Sequence, residues 1–393
     1  HSVRKYLTVL ASFVIMTCIG SVYAWSIIAS ELIEKHGLAA YQTQVIFGTL
    51  IAVFPLTMIV TGKLARRVKP RYFGYLSGLF FFAGYLLAGC CEGSFIVMLA
   101  GIGLLGGIAT GFGYWVALTS PVLWFPEKRG LITGIASAGF GLGAVFMSEI
   151  SEVILNHGYD VYDLLKISGS VYALTIIIFS NIIYQIPDNK EESNTGAKSL
   201  NFTGTAIFKK LFLGIFLGTF AGLLIIGSLG IIGAEYQIPN HYIILGVAMF
   251  AIANFSGRLV WGFISDYIGA SLSIFLALLF QAVSIYLLDV ITLTEFSYLT
   301  LSSLVGFGFG GNFVLFAKET SQVFGVRQLG TIYPYVFIGY AVAGIAGPLS
   351  GGLLYDYSGS FFYAIILASF MSLLGSLLFL TNFIRHRKDE KFK

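Results

Sequence analysis

The chain has 393 residues, 57% of them hydrophobic and only 11% charged, with a formal net charge of +4. A soluble domain carries about 25% charged residues, so this composition, with a mean hydropathy of +0.86, excludes a water-soluble globular fold. The modest positive charge therefore bears on membrane topology and implies no nucleic-acid partner.

Apolar runs of the length a helix needs to cross a bilayer, about 20 residues, recur from end to end. They predict an all-α membrane protein with spans near 6–33, 41–62, 72–91, 95–123, 130–155 and 161–185, then near 211–235, 241–264, 270–290, 296–320, 330–355 and 359–384. The one long hydrophilic connection, "PDNKEESNTGAKSLNFTG", runs from Pro187 to Gly204 and separates six spans from six. The expected organisation is an N-terminal six-helix bundle over 1–186, a cytoplasmic linker over 187–205 and a C-terminal six-helix bundle over 206–393. The sequence begins at His1 rather than Met, so the native start is expected to lie elsewhere.

Charge sets the expected orientation. One side of this arrangement receives Lys63, Arg66, Arg67, Lys69, Arg71, Lys128, Arg129 and the tail "RHRKDEKFK"; the other receives Glu31, Glu92, Glu149, Asp160 and Glu235, with Lys35 and Lys166 as its basic residues. Basic loops stay in the cytoplasm, which predicts a plasma-membrane protein, a bacterial inner-membrane one, with both termini cytoplasmic.

The halves repeat. "GKLARRVKPR" begins at Gly62 and "GFISDYIGAS" at Gly262, an offset of 200. In transporters built from such repeats the substrate site lies between the halves near the midplane.

Gly262, Asp266 and Gly269 match a Gly, an Asp four residues on and a Gly three further, and on these residues the chain resembles the major facilitator superfamily. The first-half copy departs from the pattern, with Arg66 where the Asp belongs and Lys69 where the second Gly belongs. More narrowly, "YAWS" from Tyr23, "WFPEKRGLITGIASAGFGLG" from Trp124 and "GRLVWGFISD" from Gly257 are similar to the oxalate/formate antiporter and monocarboxylate transporter branch. The resemblance implies a major facilitator fold, a gating loop at Gly262, Asp266 and Gly269, alternating access, and a central arginine that holds a substrate carboxylate.

Arg258 is the residue on which charge alone makes a demand. It lies eight residues before Asp266, about 12 Å of helical rise, and so near the middle of a core about 30 Å thick. A lipid-facing arginine there costs at least ~2.5 kcal/mol, so such residues face a bundle interior or a cavity and mark a substrate path, unless an acidic neighbour pairs with them. No Asp or Glu is expected at its depth, and a guanidinium fits a carboxylate through two parallel hydrogen bonds.

Tyr114 falls at a similar depth and can donate to a carboxylate, as can Tyr23 in the outer half of the first span; both occupy positions where the branch carries site tyrosines, and helix packing is the alternative for each. Tyr333, Tyr335 and Tyr340 on the eleventh span are further candidates, and Asn312 either contacts substrate or hydrogen-bonds a neighbouring helix. Members of the branch that carry dicarboxylates place a lysine where Tyr340 aligns here, so one cation and one carboxylate, a monocarboxylate of the lactate, pyruvate or formate type, is the expected pairing. The alternative is a dicarboxylate/monocarboxylate exchanger that uses Lys318 as a second cation; Lys318 is otherwise expected to reach the cytoplasmic surface. A carboxylate-binding membrane sensor is the alternative of another class, against which the small size of the polar segments counts.

The five histidines fall in loops or at termini, and no metal cluster, nucleophile with base, or nucleotide loop occurs, so neither an enzyme nor a cofactor or metal is expected. Transport would be driven by gradients, a co-transported proton travelling with the substrate or through a rim residue such as Glu31, or an exchanged anion taking its place. A monomer is expected.

Overall fold

A computed structural model describes residues 2–184 and 202–390. The expected linker over 187–205 falls mostly outside them. Twelve helical stretches are long and apolar enough to cross a membrane, and there is no strand among the described residues. Hydrocarbon offers no partner to a backbone amide, so each span must satisfy its own, and helices do so.

The first span is built from α1 (Ser2–Ile19) and α2 (Trp25–His36), joined by one 3-10 turn at Gly20–Ala24. Then come α3 (Ala40–Leu64) and α4 (Pro70–Gly89). The fourth span joins α5 (Phe95–Met98) to α6 (Gly107–Val122) through a π-helical stretch, Leu99–Gly106, and the half ends with α7 (Arg129–Asn156) and α8 (Val161–Ser180). The second half is α9 (Ala206–Glu235), α10 (Asn240–Ile268), α11 (Ala270–Val290), α12 (Glu295–Phe324), α13 (Leu329–Ser358) and α14 (Phe362–Glu390). Local chemistry sets several of these ends. Pro70 opens α4 at its first turn, where a missing N–H costs nothing. The Asp160 carboxylate accepts from the Val161 N–H at the start of α8. Gly269, at φ +86°, breaks α10 from α11 in a backbone conformation that side chains resist.

Two helix pairs carry most of the junction between the halves, α3 on α13 and α7 on α10. The repeat seen in the sequence reappears there as geometry. A Cβ added to Gly62 would stand 2.2 Å from the Gly330 carbonyl oxygen, and one added to Gly262 would stand 2.4 Å from that of Gly130. Gly62 and Gly262 are two hundred residues apart, as are Gly130 and Gly330, so the two backbone contacts are equivalents about one pseudo-twofold axis. Only glycine allows helices to approach this closely.

The charges at this end are not symmetric. Asp266 lies within the last turns of α10 rather than in a loop, and its carboxylate accepts from the Gly130 N–H and the Leu131 N–H, both at 2.9 Å. It thereby satisfies two of the orphan donors at the start of α7 and sits at the positive end of that helix. The Lys318 ammonium pairs with the same carboxylate at 2.5 Å, with side-chain exposures of 4% and 11%. Arg66, the first-half counterpart of Asp266, is exposed and, as a donor, could not accept from a helix start. In the first half the hydrogen bond runs the other way, the Trp115 indole N–H donating to the Gly330 carbonyl at 2.6 Å.

An Asp266→Asn variant leaves the buried Lys318 ammonium without its counter-ion and is expected to destabilise the protein by about 3 kcal/mol, read as a fall in the thermal midpoint in detergent. Adding Lys318→Met to it should recover most of that loss; simple additivity of the two losses would show that the pair is not coupled.

Candidate functional site

Arg258 sits two turns into the interior from Asp266 on the same helix and is wholly buried, at 0% exposure. Its surroundings account for only part of its hydrogen-bonding capacity. Nε donates to the Asn254 side-chain oxygen at 3.2 Å, one turn earlier on α10, and Nη1 donates to the Ser137 carbonyl on α7 at 2.8 Å. The guanidinium carbon lies 4.2 Å from the ring centroid of Phe313 on α12, a cation–π contact. Nη2 is buried and has no hydrogen-bond partner. Among the described residues no carboxylate pairs with Arg258. A buried charge answered only by neutral dipoles and a ring is under-compensated, and a buried donor left unmade costs about 1–3 kcal/mol or more when charged.

Aromatic side chains from both halves wall this cation in. From the first half come Tyr23, Phe54, Tyr114 and Phe140; from the second, Phe313, Phe337 and Tyr340. Tyr114 packs edge-on to Phe54 and Phe140, at 5.1 and 5.3 Å between centroids, and stacks on Phe337 across the interface at 5.3 Å. Its hydroxyl is buried and unbonded. Tyr23 and Tyr340 join hydroxyl to hydroxyl across the halves, and Tyr340 stacks on Phe337 at 4.8 Å. Phe313, over the guanidinium, packs on Tyr340 at 5.3 Å between centroids, and Tyr333 packs on Phe337 at 5.4 Å. Local structure explains why Tyr23 reaches so far: it stands on the 3-10 turn between α1 and α2, where the first span departs from α-helical winding.

The structure thus brings Arg258, Tyr114, Tyr23, Tyr340 and Tyr333 together. It puts four other sequence candidates elsewhere. The Asn312 amide donates to Gln281 on α11 at 3.2 Å, and its oxygen lies against Gly218 on α9, so it ties helices together inside the second half. Lys318 does not reach the surface as expected; at 4% exposure it is buried and held by the Asp266 carboxylate. Tyr335 is half-buried, with its ring 5.3 Å from Phe202. Glu31 pairs with Lys35 one turn on at 2.6 Å.

Sequence reading missed Asn254, Ser137 and the phenylalanines. Asn254 carried a signal, an amide one turn from Arg258 in an apolar run, and Phe54 and Phe337 carried a weaker one. Phe54 lies two hundred residues before Asn254, and Ser137 two hundred before Phe337. The second half has thus placed a polar pair where the first keeps Phe54 and Met58, and the first half offers the carbonyl that meets it. In chemical terms the site presents a lone fixed cation, hydroxyl donors and flat apolar walls, a setting for a small anion with an apolar body.

Comparison with known proteins agrees with this architecture. The chain is 26% identical over 350 residues to an uncharacterized MFS-type transporter, YhjX, of Escherichia coli K12, covering 87% of this chain and 86% of that one. It is 26% identical over 361 residues to the oxalate:formate antiporter of Oxalobacter formigenes, covering 89% and 84%. The solved structure of the proton:xylose symporter XylE superposes with a TM-score of 0.72 at 12% identity, over 97% of this chain and 96% of that one, a likeness of fold. The sequence model of the Major Facilitator Superfamily matches residues 7–210 and again residues 211–393, one match for each half. With that double match on a twelve-helix, two-half structure, the chain belongs to the Major Facilitator Superfamily, as a multi-pass membrane transporter and not an enzyme.

Proposed function

We propose that this transporter carries small monocarboxylate anions, of the lactate, pyruvate or formate type, by alternating access of its two halves around Arg258. The single observation behind this reading is the unspent Nη2 donor of a fully buried guanidinium with no acidic partner among the described residues. A bound carboxylate would supply both the missing acceptor and the missing charge, and a planar guanidinium matches it through two parallel hydrogen bonds. The Tyr114 hydroxyl, equally unspent, is the natural second donor. Phe54, Phe140 and Phe337 would cover the short apolar body of the substrate and keep water out, which strengthens the ionic contact.

Charge count favours one carboxylate over two. Lys318, the candidate second cation, is engaged by Asp266 at 2.5 Å, so a dianion would enter with one charge unanswered in a low-dielectric site. The oxalate:formate antiporter among the relatives motivates the second reading, a dicarboxylate/monocarboxylate exchanger, in which Lys318 would have to leave Asp266. Gly262, Asp266 and Gly269 form the gate in this reading, and the end they close faces the cytoplasm together with both termini, in a bacterial inner membrane and as a monomer.

Reconstitution into proteoliposomes with labelled lactate, formate and oxalate, with and without a pH gradient or a preloaded anion, tests the reading and shows whether a proton or a second anion is the coupled species. Lactate or formate uptake is expected to exceed oxalate uptake; the reverse order would favour the exchanger. Arg258→Ala and Arg258→Lys should each lower uptake by at least about a hundredfold in folded protein, since charge or fork is lost. Wild-type rates in Arg258→Ala would remove the site. Tyr114→Phe should raise the apparent KM about tenfold, the worth of one hydrogen bond to a charged group, whereas an unchanged KM would make Tyr114 a packing residue.

A further inference from the structure

We propose that the Trp115 indole is a latch that fastens the two halves at the Asp266 end, and that Pro334 sets the latch by freeing the Gly330 carbonyl it binds. The inference rests on alternating access of the halves and not on which anion they carry.

Gly330 lies in the first turn of α13, and a carbonyl there would ordinarily accept from the N–H four residues on. That residue is Pro334, which has no N–H to give. A buried main-chain oxygen still needs a donor. Trp115, on α6 of the other half, supplies one: both residues are buried, and Nε1 donates to the oxygen at 2.6 Å.

The fit extends beyond the bond. A Cβ at Gly330 would stand 2.6 Å from the indole Cζ2 and 3.0 Å from Nε1, so any larger residue would push the ring off the turn. The same carbonyl also meets Gly62 at the end of α3, so one oxygen of the second half touches two helices of the first. Phe73 on α4 packs edge-on against Trp115 at 5.5 Å between centroids and holds the ring within its own half. Consecutive residues of α6 therefore carry different contacts across the interface, Tyr114 to Phe337 and Trp115 to the start of α13.

The halves cannot part at this end without breaking the bond. A carbonyl inside an uninterrupted helix would keep its own helical donor as its neighbour withdrew. The Gly330 oxygen has Pro334 in that place and is left to water, so the missing amide weights the balance toward the closed end. Pro334→Ala would return a helical donor and make parting cheaper. Trp115→Phe would keep an aromatic ring and remove only the indole N–H.

Two simpler roles predict something else. Were Trp115 a packing ring, Trp115→Phe would change little. Were Pro334 only a bend in α13, its effect would be independent of Trp115. A shared bond makes the two substitutions non-additive.

The test uses the full chain in proteoliposomes, in a background of Cys18→Ala, Cys90→Ser and Cys91→Ala, with spin labels on Lys63→Cys and Lys209→Cys. These are exposed positions on α3 and α9, one in each half. Pulsed distance measurements give the ratio of parted to closed molecules. Trp115→Phe is expected to raise that ratio about fivefold and Pro334→Ala about threefold, the worth of one neutral hydrogen bond or part of one. Trp115→Phe added to Pro334→Ala should raise it by less than about twofold further. An unchanged ratio in Trp115→Phe overturns the inference, as does a full fivefold rise on adding Trp115→Phe to Pro334→Ala. Should Trp115→Phe fail to fold, Pro334→Ala decides alone, and an unchanged ratio there is equally fatal. The distances are read without substrate, so the latch can fail while lactate uptake stands, and lactate uptake can fail while the latch stands.

Discussion

Everything distinctive about this transporter's interior follows from one under-compensated charge. The Arg258 guanidinium is taken entirely out of water and meets an amide, a main-chain carbonyl and a ring where a carboxylate would have been the ordinary partner. Charges are removed from solvent only at a cost of several kcal/mol, offset in a stable pair by an opposite charge. Here the offset is incomplete, and the fold tolerates it because backbone packed against α10 on two sides leaves the side chain nowhere else to go. An incompletely offset cation between two halves is the feature on which the proposed anion site rests.

The half-to-half interface distributes its work differently along its length. At the Asp266 end, backbone meets backbone through two glycine pairs related by the repeat, and the contact is then fastened by a carboxylate on the start of α7 and a lysine on that carboxylate. Deeper in, the contact is aromatic: Tyr114 and Phe54 against Phe337, Tyr23 against Tyr340. Ring contacts of this kind are worth about 0.5–1.5 kcal/mol each beyond their buried area, small enough to be exchanged for contacts with a substrate. Neutral hydroxyls and rings meet around the cation, and the ionic fastening is kept two helical turns away, so the Asp266 carboxylate does not neutralise Arg258.

Duplication explains the economy of the site and its asymmetry. Equivalent glycines in the two halves give equivalent close contacts, yet Asp266 has Arg66 as its counterpart and Asn254 and Arg258 have Phe54 and Met58. One half became the polar wall and the other the apolar wall of a single site, while the shared backbone frame kept both in register.

The amino-acid sequence determined the number of spans and the repeat, because hydrocarbon thickness acts on each helix by itself, and it singled out Arg258, because a buried charge is costly. It also singled out Tyr114, whose depth along its helix can be counted, and Tyr340 through the resemblance, as the position where dicarboxylate carriers place a lysine. What the sequence left undetermined was which way each side chain turns about its helix axis. Only packing decided that Asn312 faces Gln281, that Lys318 is spent on Asp266, that Tyr23 crosses to Tyr340, and that Asn254 and Ser137 take Nε and Nη1 of the guanidinium while Nη2 has no partner. Those outcomes depend on neighbours hundreds of residues away in the chain, brought near by glycine contacts whose closeness no single helix encodes.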